Sequence, residues 1–200
     1  MLAAGKALSA ARAKSGAKLA KEITKELHGL GFLKASLAVA VEPAAPSPSG
    51  CDRVDFLFEP NPGESARELR DIASSGETAR VMLALKSVLS AHDKTSVLVF
   101  DEIDANIGGE VGRAVGEKLR KVSRSHQVLA ITHLPQSAVY GERHLVVSKR
   151  VEGGRTLTGI EQVEGAKRVE EIARMLGGVN LTSVTRKHAE ELLNYGKTDR

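Results

Sequence analysis

The residues whose types and spacing best suit chemistry are two adjacent carboxylates, Asp101 and Glu102, which directly follow the apolar run Val97–Phe100. Such a run predicts a buried strand, and ligands bind at the carboxyl ends of strands in open parallel sheets. A carboxylate there can hold Mg²⁺ through its water shell, because this ion is usually held by one or two carboxylates plus phosphates. Side chains alternate along a strand, so Glu102 points differently and can orient a water for in-line attack. Acidic residues also follow buried strands as helix caps, which leaves the motif ambiguous by itself.

His133 and Asp104 are further polar candidates near this predicted edge. His133 follows the apolar run 128–131 one crossover later, so we expect it at the same edge of the sheet, in reach of a terminal phosphate. A lone histidine is more often structural, and the neighbouring carboxylates are what favour a role for it. Asp104 starts a turn of small residues, for which loop formation is an equally good explanation.

Residues 74–77 begin a helix that is predicted by helical spacing of apolar residues further along the chain. Ser74 and Glu77 fit a capping box. The same helix N-terminus, with free N–H groups and a small residue before it, suits an anion such as phosphate. Both interpretations can hold together.

The elements around these residues fall into two groups. Residues 2–29 predict one long helix, whose narrow apolar stripe fits pairing with a single partner helix that is not evident in the sequence. This stripe consists of Leu19, Ile23, Leu27 and Leu30. Strands are predicted at 35–41 and 53–59, with the proline-rich stretch 42–50 as a loop between them.

The second half of the chain alternates apolar runs with amphipathic helices. This pattern predicts parallel strands covered on both faces, joined by a right-handed crossover, and therefore an α/β fold. Beyond it, Gly153-Gly154 predicts a hairpin turn, and two helices are expected around 166–176 and 182–194, separated by Gly177-Gly178.

Composition and charge limit the function classes. Aromatic residues make up 3% of the chain and Trp is absent, which disfavours a surface of stacked aromatics for single-stranded nucleic acid. The single Cys51 excludes an internal disulfide and a multi-cysteine zinc site, and it fits a reducing cytoplasm. No stretch approaches the ~20 apolar residues that span a bilayer, so we expect a cytoplasmic protein with no membrane partner.

The net charge of +4 is concentrated at one end of the sequence. Residues 1–30 hold six basic and two acidic side chains, so the rest of the chain is balanced. Any electrostatic attraction to DNA would therefore lie in the N-terminal segment, although a basic helix face is more often simply solvated.

Taken in chain order, residues 74–77, Asp101-Glu102, Asp104 and Thr132-His133 resemble the signature, Walker B, D-loop and switch histidine of the ABC ATPase superfamily. Longer stretches are similar to the C-terminal part of the RecN family, SMC-like bacterial proteins of DNA double-strand-break repair. These stretches are 56–64, 72–77, 100–109, 131–136 and 169–178. The similarity extends over nearly the whole chain.

The resemblance implies the C-terminal lobe of an ABC/SMC-type ATPase head at 32–200, a parallel sheet with flanking helices, preceded at 1–31 by the end of a coiled-coil arm. It implies ATP and Mg²⁺ as cofactors, with Asp101 supporting the metal through water, Glu102 as catalytic base and His133 sensing the γ-phosphate. The implied cofactor-binding residues are Ser74, Ser75, Gly76, Glu77 and Asp104, of which Ser74 and Gly76 reach ATP held by the opposite head.

The implied partners are an N-terminal half that carries the Walker A phosphate loop, a second head in an ATP-dependent dimer, and DNA. The implied location is the bacterial cytoplasm, in association with the nucleoid.

Two departures from the family pattern matter. The family signature has Gly where this chain has Ser75, and a side chain there is expected to crowd the phosphate and weaken ATP-driven head closure. The chain contains no G-x-x-x-x-G-K-[ST] phosphate loop, so we expect no ATP hydrolysis by this chain alone.

Three functional hypotheses follow from the sequence. The first is half of a RecN-like ATPase that acts in DNA double-strand-break repair and recombination. The second is a non-catalytic remnant or interaction module that docks on DNA-repair ATPase heads. The third is a nuclease in which Asp101, Glu102 and Asp104 hold two metal ions.

Overall fold

The computed structural model describes residues 2–178 and 181–198, so the outer limits 1 and 200 of the predicted domains lie outside the described residues. It is an α/β structure with one parallel and two antiparallel sheets. The elements in chain order are α1 Leu2–His28, β1 Ser36–Ser47, β2 Gly50–Glu59, β3 Arg67–Glu68, a 3-10 helix Leu69–Asp71, α2 Ser75–Leu89, β4 Val97–Phe100, α3 Gly109–Val122, β5 Gln127–Ala130, α4 Pro135–Ala138, β6 His144–Glu152, β7 Arg155–Val163, α5 Gly165–Gly177 and α6 Ser183–Thr198.

The long N-terminal helix is confirmed, and its apolar stripe lies in the main core. Ile23, Leu27 and Leu30 are fully buried together with residues of β1, β2 and α2, such as Leu37, Phe58 and Val81. The expectation that this stripe meets only a partner helix missing from the sequence is therefore corrected. A sheet and the helix α2 of the same chain already bury it.

Strand β1 is longer than the sequence predicts, since it runs through the proline-rich stretch to Ser47 and leaves only a tight turn before Gly50. Its register with β2 becomes irregular between Pro43 and Ser47. Within the described residues β1 pairs with β2 alone, and proline is tolerated on such an edge strand because its missing N–H need not enter the ladder. The prediction of a loop at 42–50 was therefore wrong, because these prolines lie on an edge strand, where they do not end the strand.

Strands β4 and β5 are parallel, as predicted, with Val97 opposite Gln127 and Phe100 opposite Ala130. Leu98 and Phe100 are buried in the core shared with α2 and α3. The side chains on the other face are 44% to 63% exposed, and they are Val97, Val99, Leu129 and Ile131. Coverage on both faces was predicted, and within the described residues only one face is covered.

The C-terminal region has a small core of its own. The hairpin β6–β7 turns at Gly153 and Gly154, whose positive φ values of 56° and 77° suit glycine in a tight turn. Helices α5 and α6 pack with Val139 and Tyr140, which follow the short helix α4, a helix the sequence analysis missed. None of the described helices is long and apolar enough to cross a membrane.

Candidate functional site

The N-terminus of α2 lies directly against the turn that follows β4. Ser74 is the N-cap, and its Oγ accepts a hydrogen bond from the Glu77 N–H at 3.4 Å, as the capping motif predicts. A Cβ at Gly76 would lie 2.9 Å from the Cβ of Ala105 and 3.1 Å from the carbonyl oxygen of Glu102. Glycine at this position therefore allows helix and turn to approach each other.

The two carboxylates Asp101 and Glu102 are exposed at the carboxyl end of β4. Glu102 has a φ of 54°, in the left-handed region that residues with a Cβ seldom adopt. The hydroxyl of Ser75 donates to Oε2 of Glu102 at 2.5 Å, and the N–H of Ala105 donates to the Glu102 carbonyl oxygen at 3.0 Å. The start of α2 and the turn at 102–105 are thus joined by side chain and backbone.

Asp104 connects this turn to the loop after β5. Its carboxylate is 2% exposed, and Oδ2 accepts from the His133 N–H at 2.9 Å, the Leu134 N–H at 3.0 Å and the Thr132 hydroxyl. Its Oδ1 lies 3.2 Å from Nδ1 of His133, whose side chain is 70% exposed. Asp104 therefore holds the loop and the Nδ1 edge of the imidazole, while most of the ring faces solvent.

Arg80 is a buried residue of this region that the sequence analysis did not single out. Its guanidinium donates through Nη1 to the carbonyl oxygens of Ile103 at 3.3 Å and Ala105 at 3.1 Å, and it lies 5.2 Å from the centre of the Phe32 ring. Burial lowers the pKa of Arg80, and the charges of Glu77 and Asp104 oppose that shift. The sequence could have drawn attention to Arg80, because it is a charged residue next to Val81, and helical spacing predicts that this part of α2 is buried.

An open cavity of about 510 Å³ lies between α2 and β4, and both Ser75 and Asp101 line it. Asp101 is exposed at its rim, which fits a carboxylate that holds a hydrated divalent ion. No group of three or more His, Cys, Asp or Glu side chains in the described part of the chain is arranged to hold a metal. Because the hydrogen bonds to Thr132, His133 and Leu134 occupy Asp104, the geometry gives no support to a two-metal nuclease.

No family model matches the chain, and its similarity to known proteins comes from individual sequences. The chain is 39% identical over 193 residues to the DNA repair protein RecN of Halalkalibacterium halodurans, covering 94% of this chain and 34% of that protein. It is 42% identical to RecN of Treponema pallidum over 207 residues, covering 100% of this chain and 36% of that protein. The chain is related to the C-terminal part of RecN. It spans about a third of the length of the RecN proteins it matches.

Solved structures show which fold this RecN-related chain has. An SMC ATPase described as showing ATP-driven dimerization and DNA-stimulated activation matches with a TM-score of 0.50 at 15% identity, over 84% of this chain and 97% of that one. The Smc head domain of Pyrococcus yayanosii, solved with a coiled coil and joint, matches with a TM-score of 0.56 at 18% identity, over 77% of this chain and 28% of that one. The described α/β fold is therefore similar to that found in SMC ATPase heads.

Proposed function

We propose that this chain is the C-terminal part of a RecN-like ATPase that acts in DNA double-strand-break repair and recombination. In this proposal it supplies the signature at 74–77, the Walker B carboxylates, the D-loop and the switch histidine. The observation that carries the proposal is the hydrogen-bonded connection of these four motifs at one sheet edge, through Ser75 to Glu102 and through Asp104 to His133.

Each group has a role that suits its position. Glu102 orients the attacking water, and His133, held by Asp104, presents its exposed ring to the γ-phosphate. Asp101 would hold Mg²⁺ through its water shell, and its charge would be neutralised there together with that of the phosphates if the ion were bound. The free N–H groups at the start of α2, around Ser74 and Gly76, face the nucleotide of a second head.

An N-terminal part with a phosphate loop completes the head in this proposal. The exposed apolar face of β4 and β5 supports it, since parallel sheets are normally covered on both faces. RecN relatives are about three times as long as this chain, which leaves enough polypeptide to provide the cover. We also propose the division into a coiled-coil end at 1–31 and a head lobe at 32–200, with DNA and a second head as partners in the bacterial cytoplasm, at the nucleoid.

Reconstitution tests the proposal. The isolated chain should show no Mg-dependent ATP hydrolysis, and mixing it with a separately expressed N-terminal part of RecN should produce turnover. Glu102→Gln should then lower turnover by about 100-fold or more, the usual contribution of a general base. Glu110→Gln, an exposed glutamate in the first turn of α3, serves as the control. Mg-ATPase activity of the isolated chain that disappears in Glu102→Gln would contradict the proposal.

The second candidate is a non-catalytic module that docks on DNA-repair ATPase heads. The same exposed face, with Val99 63% and Ile131 60% exposed, favours it as well, because binding through this face requires no chemistry. The reconstitution separates the two candidates. Stable binding of the N-terminal part without turnover supports the docking module, and turnover that depends on Glu102 supports the enzyme.

A further inference from the structure

The contact between Ser75 and Glu102 has a geometry that suits the support of a catalytic carboxylate. Ser75 is the first residue of α2, and its Oγ donates to Oε2 of Glu102 at 2.5 Å. The other oxygen, Oε1, accepts no hydrogen bond from any of the described residues. Among the described residues, hydrogen bonding therefore holds only one oxygen of this exposed carboxylate.

The backbone of the turn is fixed at the same place. Glu102 has a φ of 54°, and a residue with a Cβ stays in this region only when its surroundings hold it there. The Ala105 N–H bonds to the Glu102 carbonyl oxygen, and Arg80 bonds to the next carbonyl, that of Ile103. On this held backbone, the hydrogen bond from the Ser75 hydroxyl restricts the rotation of the Glu102 side chain.

We propose that Ser75 is the positioning residue of Glu102: its hydroxyl holds Oε2 so that Oε1 faces the attacking water. This inference rests on the proposed function, in which Glu102 is the general base. It follows the arrangement in which a base that activates a nucleophile is itself oriented by a third group. Ser75 does not touch the reacting atoms and acts only through Glu102.

The role differs from the one expected from the sequence, in which the Ser75 side chain crowds a phosphate. In the structure the tight position is Gly76, where a Cβ would meet Ala105 at 2.9 Å, whereas Ser75 is exposed and its hydroxyl is bonded to Glu102. The two roles give opposite predictions for Ser75→Gly. If Ser75 crowds a phosphate, Ser75→Gly should raise turnover. If Ser75 positions Glu102, Ser75→Gly should lower it.

The kinetic test uses the chain combined with the N-terminal part of RecN. Ser75→Gly and Ser75→Ala should lower kcat about 10-fold, which corresponds to about 1.4 kcal/mol of transition-state stabilisation, with KM for ATP changed less than about twofold. Ser75→Thr, which restores a hydroxyl, should keep most of kcat. Ser90→Ala removes a hydroxyl from the opposite end of the same helix and serves as the control. Turnover of Ser75→Gly equal to or above wild type would overturn the inference, and so would a Ser75→Thr variant as slow as Ser75→Ala.

A second measurement examines the contact itself without any need for ATP hydrolysis. In the isolated chain labelled with ¹³C-glutamate, the carboxyl resonance of Glu102 is identified by its loss in Glu102→Gln. This resonance should move in Ser75→Ala and Ser75→Gly and keep its position in Ser75→Thr and Ser90→Ala. An unmoved resonance refutes the contact. A moved resonance combined with an inactive wild-type head contradicts the proposed ATPase function while the positioning contact stands.

Discussion

Replacing Asp104 with alanine tests how the turn after β4 and the loop after β5 are held together. The carboxylate accepts hydrogen bonds from the His133 N–H, the Leu134 N–H and the Thr132 hydroxyl while being 2% exposed. Alanine leaves the His133 N–H without its partner. The Leu134 N–H keeps a second acceptor, the Thr132 hydroxyl oxygen, at 3.1 Å.

The size of the effect follows from these partners. A hydrogen bond to a charged group contributes about 1.5–3 kcal/mol, and an unsatisfied donor costs about 1–3 kcal/mol. The bond to the His133 N–H is lost fully, and the other two are partly replaced, since the Thr132 hydroxyl also has the Leu134 carbonyl oxygen at 3.4 Å. Because all three bonds lie in a half-buried loop, the expected destabilisation is about 2 kcal/mol for Asp104→Ala. Asp104→Asn keeps an acceptor oxygen and loses the charge. Since charge-assisted bonds are roughly twice as strong as neutral ones, about 1 kcal/mol is expected for it.

Urea unfolding followed by circular dichroism measures these differences, and amide hydrogen exchange at His133 and Leu134 locates them. Asp101→Ala, an exposed carboxylate of the same segment, is the matched control, with a change of less than about 0.5 kcal/mol expected. If Asp104→Ala is as stable as this control, the hydrogen bonds of Asp104 do not stabilise the fold. The same conclusion follows if the two amides exchange no faster in Asp104→Ala than in wild type.

Two further predictions concern stability. A Cβ at Gly116 would lie 3.1 Å from the backbone of Ser137, so Gly116→Ala forces α3 and α4 apart and should cost about 1–3 kcal/mol in urea unfolding despite its better helix propensity. Gly29→Ala, where the nearest atom is at 3.6 Å, should be close to neutral, and equal losses at both positions would contradict the packing. The hydrogen bond from Lys86 is the main cause that holds the pKa of Asp93 below its ordinary value of 3.8. The stability advantage of wild type over Asp93→Asn should therefore be full above about pH 4 and disappear as the pH falls through the lowered pKa. Thermal melts of both proteins from about pH 7 to about pH 2 measure this difference in stability. A difference that does not change with pH would contradict the ion pair between Lys86 and Asp93.

Much of the secondary structure follows from local signals in the sequence. The helix α2 was predicted from apolar spacing and from Ser74 as its cap, and the β6–β7 turn from Gly153-Gly154. These features depend on residues within a few positions of each other, so one sequence is enough to find them. The prolines of β1 misled the prediction because their effect depends on whether the strand lies at a sheet edge, which is not a local property.

The candidate site likewise combines residues that local sequence patterns predict with contacts that they do not. Residue types and order identified Glu102, Asp104 and His133, because a carboxylate or imidazole after an apolar run is recognisable wherever the run ends. What these side chains touch could not be read from the sequence. The contacts from Ser75 to Glu102 and from Asp104 to His133 join residues 27 and 29 positions apart, and the buried Arg80 acts on carbonyl groups that are 23 and 25 positions away.

The sequence by itself thus determined which groups are present and at which strand and helix ends they lie, since both depend on short-range patterns. Only the tertiary structure decided that Ser75 turns to Glu102, that Asp104 holds the loop of His133, and that the described residues leave one face of the parallel sheet exposed. These features depend on how α2, the 102–105 turn and β5 pack against each other. Such packing is set by the sum of many contacts between distant residues rather than by any single motif.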